Sequence, residues 1–186
     1  MLQAAALAEV VLCYVLWVLA FVGARRVAAG QKKVVRAPAS KWGIILQGVG
    51  FTSACVYVRP EGFEKSTPSL AASMLLAPVA VALAWAATRH LGKHWRLEAA
   101  LSQEHELIQS GPYRWMRHPI YASMLVLLLA IGGVWTWWPM LLAGLAFYLA
   151  GTEIRVHAEE RLLAERFGEA FRAYQSRVRA YIPFVR

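Results

Sequence analysis

Long apolar stretches alternate with short polar ones along this chain, and the alternation predicts its elements. Residues 2–24 are apolar apart from Gln3 and Glu9. A second uncharged run covers 42–58, a third covers 69–88 with Pro78 inside it, and a fourth, 120–152, carries no charged residue. Apolar runs near this length suit helices crossing a bilayer core of ~30 Å at ~1.5 Å per residue. The fourth run is too long for one such helix, and Gly132-Gly133 near its middle is a turn signal. It predicts a helical hairpin, 120–131 and 135–152, with Trp135, Trp137 and Trp138 at the far interface. The short first arm tilts, thins the bilayer or stops partway. Gly43, Gly48 and Gly50 in the second run allow close helix packing.

After the hairpin, residues 153–180 are helical by period. Val156, Glu160, Leu163, Phe167, Phe171, Tyr174 and Val178 recur every three or four positions as one stripe. Arg161, Glu165, Glu169 and Arg172 supply charge pairs on the other faces, and Ile182-Pro183 ends the helix. Such a helix lies on a membrane surface or packs on the protein's own loops. The expected fold is all-α and integral to the membrane: about five transmembrane helices, the last two a hairpin, with a polar loop and an amphipathic C-terminal helix. Residues 1–186 form one membrane domain, with three N-terminal helices in 1–88.

Composition agrees with this picture. Hydrophobic residues make up 59% of the chain and charged residues 17%, against roughly half and a quarter in ordinary soluble domains. The net charge of +9 comes from 20 Lys and Arg against 11 acids, all of them Glu. Six of the basic residues lie in the linker after the first helix, two between the second and third, five in 89–119, and seven after Thr152. Five spans put 18 of the 20 on one side, and the positive-inside rule then gives an outer N-terminus and a cytoplasmic C-terminus. This distribution accounts for the basic balance without nucleic acid. No basic residue precedes Arg25, so the first run reads as a retained helix and not a cleaved signal peptide. Glu9 is expected near the outer interface or facing neighbouring helices. Cys13 and Cys55 sit inside apolar runs as small fillers. The five histidines have neither Cys nor Asp beside them, and His90 and His94 at i, i+4 make a weak case for metal.

Two constellations hold the candidate chemistry, both on the expected cytoplasmic side. One is the polar, turn-rich stretch 105–121, where His105, Glu106, Tyr113 and His118 flank a turn at Gly111-Pro112. Pro119 has no amide proton and disfavours helix at the residue before it, which puts His118 at a helix entrance with Pro119 in the first turn. Helix starts favour negative or electron-rich groups. The second is Arg155 with Glu159, one helical face at i, i+4, and Glu160 beside them. On spacing alone, the pair is as well a salt bridge worth a few tenths of a kcal/mol. His118 is as well a cap, Arg114 and Arg117 are surface charges, and Trp115 is an interface anchor.

Leu91-Gly-Lys-His-Trp95, His105-Glu-Leu-Ile, Ser110-Gly-Pro-Tyr, Arg117-His-Pro-Ile-Tyr121, Arg155 with Glu159-Glu160, Phe167-Gly168 and Ile182-Pro183 occur in this order. The series resembles the isoprenylcysteine carboxyl methyltransferase family, related to the phospholipid methyltransferases, over about half the chain. The first two helices fit that family only by their number. The resemblance implies a membrane methyltransferase using S-adenosylmethionine (product S-adenosylhomocysteine), with residues 89–186 as its catalytic region and the loop and C-terminal helix as its cofactor pocket. Carried over, the cofactor contacts are His105, Glu106, Leu107, Ile108, Tyr113, His118, Pro119, Ile120, Tyr121 and Glu159. Arg155 takes the substrate side, and Arg155 and Glu159 are the catalytic pair. Glu98 stands near where family members carry a cofactor-contacting glutamine.

The residue types suit methyl transfer, an in-line displacement helped mainly by alignment. Glu159 suits an ammonium by a charge-assisted hydrogen bond, and Tyr113 or Tyr121 suits a sulfonium, worth ~0.5–2 kcal/mol. The expected partners are the lipid bilayer and a lipophilic acceptor entering between helices: a prenylcysteine-like or other isoprenoid carboxylate, with phospholipid amines or small thiols as alternatives. Other readings are an NADPH-dependent reductase resembling the sterol reductases and a non-catalytic membrane scaffold.

Overall fold

A computed structural model describes residues 1–28, 33–56, 60–95, 100–102 and 106–181. Six α-helices dominate the described residues: α1 (Leu2–Ala28), α2 (Ser40–Cys55), α3 (Thr67–Leu91), α4 (Pro119–Trp135), α5 (Trp138–Phe167) and α6 (Glu169–Arg177). The described part of the basic linker adds one departure from the all-α expectation. Its Lys33–Arg36 (β1) pairs antiparallel with Ala100–Ser102 (β2), Arg36 opposite Ala100, tying the linker to the polar segment before the site.

Among the described residues, three helices are long and apolar enough to cross a membrane: Leu2–Val27, Thr67–His94 and Trp138–Phe167. Pro119–Trp135 is apolar but shorter. Large apolar side chains face outward from the bundle, among them Leu12, Trp42, Leu75, Val79, Trp138 and Phe147. Inside, α1, α3 and α4 share a core of Ala6, Val10, Leu70, Ala77, Ala130 and Val134. Small residues dominate it, as expected where helices associate by close approach and not by expulsion of water. Ser66 caps α3, accepting from the Ser69 amide, with Pro68 in the first turn.

The hairpin exists, but its turn is not at the glycines. α4 continues through Gly132 and Gly133 to Trp135, and the chain reverses at Thr136-Trp137. The two glycines are notches for neighbouring side chains. A Cβ on Gly132 would meet the Leu141 side chain, and one on Gly133 would meet Ser73 and lie 3.4 Å from the Ser69 carbonyl oxygen. What starts the next helix is Pro139 in the first turn of α5. Lys65 donates to the carbonyls of Gly132 (2.9 Å) and Thr136. This places a cation on the C-terminal end of α4, where the helix dipole favours one.

The tail departs from a single helix over 153–180. α5 runs unbroken from the apolar run into the charged segment, 30 residues or about 45 Å at 1.5 Å per residue. It stops at Gly168, whose φ of +51° lies in the region that glycine tolerates best. The short α6 then folds back and buries Phe171 and Tyr174.

α2 and α5 pack antiparallel through glycine. A Cβ on Gly43 would lie 2.6 Å from the Gly151 carbonyl oxygen, and a Cβ on Gly50 would lie 2.6 Å from that of Gly144. A seven-residue spacing on both helices keeps the glycines on one seam. Gly48, off the seam, meets nothing within 4 Å. Buried Ser40, Gly43, Gln47, Gly50 and Ala54 mark the same face of α2.

Candidate functional site

The site lies where the polar loop enters α4 and the charged half of α5 passes it. Gly111 opens a 3-10 turn, Gly111–Arg114, with φ +58°, and the His90 ring occupies the space a side chain there would need. The turn buries Tyr113. The chain then passes through an isolated parallel bridge, Met116 to Arg179, and a bend at Arg117 to His118, which precedes α4 with φ −126° and ψ 62°, while Pro119 opens the helix fully buried. The expectation of a helix entrance at His118 is met. The C-terminal segment clips this strip: the amides of Arg117 and His118 donate to the carbonyls of Arg179 (2.8 Å) and Ala180 (2.7 Å). Tyr174 donates its hydroxyl to the Tyr113 carbonyl at 2.6 Å.

Two adjacent carboxylates of α5 meet the His118 ring from both sides. Its Nε2 lies 3.1 Å from Glu160 and its Nδ1 lies 3.4 Å from Glu159. Glu160 is otherwise structural. Arg117 ion-pairs with it at 2.7 Å, Gln175 donates to it at 2.8 Å, and Arg117 also reaches the carbonyls of Gln175 and Val178. Arg117 is thus a largely buried clasp and not the surface charge its sequence context suggests. Arg114 and Trp115 are exposed, as expected.

Glu159 has the other environment. It accepts from the Tyr121 hydroxyl, lies 3.8 Å from the Arg155 guanidinium, and keeps about a quarter of its side chain accessible. Tyr121 stacks on His118 with centroids 5.6 Å apart, and the Arg155 guanidinium sits 5.0 Å over the Tyr121 ring. Arg155 is buried, and its Nη1 donates to Gln47 of α2 at 3.0 Å. Burial raises the Tyr113 pKa, as do the Glu159 charge and Tyr174, so its phenol stays neutral.

Burial opposes a charge on His118, but hydrogen bonds and Coulomb attraction from Glu159 and Glu160 outweigh it and raise the ring's pKa. A folded value above the unfolded one gives a stabilisation that is complete below about pH 6.5, the unfolded value, and lost as pH rises through the raised folded value. The expected result is a wild-type Tm that declines as pH climbs from about 6 into the alkaline range, with His118→Gln removing part of that decline. Equal slopes for both proteins in a thermal scan across pH would take His118 out of the account.

Of the residues expected from sequence, Tyr113, His118, Tyr121, Arg155 and Glu159 come together. Pro119 and Ile120 form the first turn of α4 beside them. Glu106 is exposed and Leu107 and Ile108 are half-buried on the irregular segment leading to Gly111. His105, Glu98 and Ile182-Pro183 lie outside the described residues. Sequence reasoning missed Gln47, Tyr148 and Thr152. Gln47 donates to Thr152 at 2.9 Å, and Tyr148 donates to the Tyr121 carbonyl at 2.6 Å. A lone glutamine between Gly43 and Gly50 was the one available signal, since an amide in an apolar run needs partners.

Known proteins are similar to parts of this chain. The sequence model of the isoprenylcysteine carboxyl methyltransferase (ICMT) family matches residues 72–165, half of the chain, from α3 to the end of the charged part of α5. A protein of Bacillus subtilis (strain 168) described as "Uncharacterized protein YpbQ" is 29% identical over 75 residues, 40% of this chain and 45% of that one. The alignment thus spans under half of that relative's length. By the family match, this chain belongs to the isoprenylcysteine carboxyl methyltransferase family.

Proposed function

We propose that the protein is an integral membrane methyltransferase that uses S-adenosylmethionine and methylates the carboxylate of a lipophilic acceptor, prenylcysteine-like or another isoprenoid acid. One observation carries this reading. The motif carboxylate Glu159 remains partly accessible and meets His118, Tyr121 and buried Arg155 at one point. Its neighbour Glu160 is locked into a structural clasp.

The donor set fits the cofactor. A partly accessible carboxylate matches an ammonium, the buried neutral Tyr113 supplies an aromatic wall, and Tyr121, its ring held against His118 and Arg155, orients Glu159 through its hydroxyl. His105, Glu106, Leu107, Ile108, His118, Pro119 and Ile120 complete the contacts that family membership suggests. When bound, S-adenosylmethionine supplies a methyl group on a positive sulfur. The chain's own part is alignment and charge. Glu159 anchors one end of the cofactor, and Arg155, a fixed cation beside it, orients the acceptor carboxylate for in-line approach. A carboxylate is already ionised at neutral pH and needs no general base. Arg117, committed to Glu160, is not available for a nucleotide phosphate, which disfavours the NADPH reading.

In this proposal five helices span the bilayer, with residues 89–186 as the catalytic region and the site and C-terminus cytoplasmic. The acceptor enters from lipid between helices. The test is transfer of tritium from labelled methyl donor to lipid extracts in membranes with and without the protein, with identification of the product, beside calorimetry of the purified protein with S-adenosylhomocysteine. Binding plus a labelled isoprenoid acid is expected. A labelled phospholipid or thiol would change the acceptor and keep the enzyme class. No binding in several detergents and lipids, with no protein-dependent label, ends the proposal.

A further inference from the structure

α2 lies outside the family match, which begins in α3, yet one of its side chains reaches the centre of the site. Gln47 is buried (2% exposed) in a helix that is otherwise apolar or small on its packed face. Its amide is held at both ends. Nε2 donates to Thr152 Oγ1 at 2.9 Å, and Oε1 accepts from Arg155 Nη1 at 3.0 Å. Thr152 and Arg155 are successive points on the buried face of α5, so the amide is aimed by one and aims the other. The glycine seam makes this reach possible. Gly43 lets the Arg155 stem lie against the α2 backbone, and Gly151 brings α5 to the same backbone, with a hypothetical Cβ 2.9 Å from the Gln47 amide nitrogen. The guanidinium is then bounded by Gln47 on one side, the Tyr121 ring 5.0 Å away on another, and Glu159 at 3.8 Å.

We infer that Gln47 is a positioning residue: it sets the rotamer of Arg155 and, on the methyltransferase reading above, the register of the acceptor carboxylate against the methyl donor. A glutamine suits this task. Its neutral carbonyl takes one guanidinium proton without neutralising the cation, so Arg155 keeps its charge for an anionic acceptor. A carboxylate at the same place would compete with that acceptor only by charge, while preserving the geometry. The helix without a family motif therefore contributes to specificity for the acceptor and not to binding of the cofactor.

The test uses the full chain in lipid nanodiscs, with N-acetyl-S-farnesylcysteine as the acceptor probe. Gln47→Leu should lower kcat/KM for the probe by about tenfold or more, with S-adenosylhomocysteine affinity changed by less than about twofold. Gln47→Glu, which keeps an acceptor for Arg155 but adds a charge competing with the acceptor carboxylate, should leave S-adenosylhomocysteine affinity within about twofold and recover kcat/KM only in part, to a value between Gln47→Leu and wild type. Thr152→Val, which frees the far end of the amide, should shift the same constant in the same direction and serves where Gln47→Leu does not fold. A second readout needs no turnover. The nitrogen-15 guanidinium signal of Arg155, assigned by its loss in Arg155→Lys, should show hindered rotation in wild type, averaging in Gln47→Leu and recovery in Gln47→Glu. Unchanged probe kinetics in folded Gln47→Leu or, failing that, in Thr152→Val overturn the inference. So does a loss of cofactor affinity parallel to the loss of turnover, or an Arg155 signal indifferent to residue 47. If wild type neither binds S-adenosylhomocysteine nor labels the probe, the methyltransferase reading fails by itself. The Arg155 signal then decides the bracing of Arg155 alone, for or against.

Discussion

Glu159→Gln is expected to weaken S-adenosylhomocysteine binding by about 10–100-fold, the loss of one hydrogen bond to a charged partner worth ~1.5–3 kcal/mol. The substitution keeps the shape of the side chain and an acceptor oxygen for Tyr121, and it removes the negative charge while turning the second oxygen, beside the His118 ring, into a donor. That charge faces three groups: the His118 ring at 3.4 Å, the Arg155 guanidinium at 3.8 Å and the Tyr121 hydroxyl. Arg155→Ala should behave differently, leaving cofactor affinity within about threefold while turnover falls by two orders of magnitude or more, as for an interaction made mainly with the acceptor. Calorimetry and single-turnover kinetics on the two variants separate the roles. Wild-type affinity in Glu159→Gln, or equal loss of binding in both, removes the division of labour between them.

Gly151→Val is expected to destabilise the protein by about 3 kcal/mol, the upper end of the usual cost of overpacking. On a chain of this size that is a fall of roughly 6–12 °C in Tm. The seam between α2 and α5 leaves no room for a side chain. A Cβ there would sit 2.6 Å from the Gly43 carbonyl oxygen and 2.9 Å from the Gln47 amide nitrogen, both backbone atoms that cannot swing aside. Gly48→Val is the control, because the space around Gly48 is open. Its Tm should stay within about 2 °C, the range of an ordinary surface substitution. Because the seam also sets the distance between Gln47 and Arg155, partial loss of turnover should accompany the loss of stability at Gly151. Thermal unfolding of both variants in the same detergent measures the contrast. Equal shifts mean that the seam is not what holds α2 to α5.

Much of the molecule was legible along the chain because two strong physical signals vary along it. The first is hydropathy. Uncharged apolar runs mark the bundle, and the change to a charged sequence after Thr152 marks where α5 meets the polar loop that precedes α4. The second is local backbone chemistry. Pro119 placed the start of α4 and Gly111-Pro112 placed the turn, whereas the single helix expected over 153–180 breaks at Gly168, whose positive φ separates α5 from α6. The i, i+4 rule put Arg155 and Glu159 on one face, and helical geometry requires no tertiary knowledge for that.

The sequence by itself therefore determined the apolar helical architecture and the helix entrance at His118, and it named Tyr113, His118, Tyr121, Arg155 and Glu159 before the fold brought them together. Tertiary structure decided what local signals leave degenerate. A glycine pair is a break or a packing notch depending on what faces it. Leu141 and Ser73 face Gly132 and Gly133, so α4 continues and the reversal falls at Thr136-Trp137. An arginine beside a loop is a surface charge or a clasp depending on whether a carboxylate meets it, and Glu160 meets Arg117 across 43 positions of chain. Gln47 is a polar interruption in an apolar run until α5 packs on it and Arg155, 108 positions away, takes its carbonyl. In each case the partner lies far along the chain. Desolvation makes a buried polar group depend on that partner, and the choice exists only once the helices are packed.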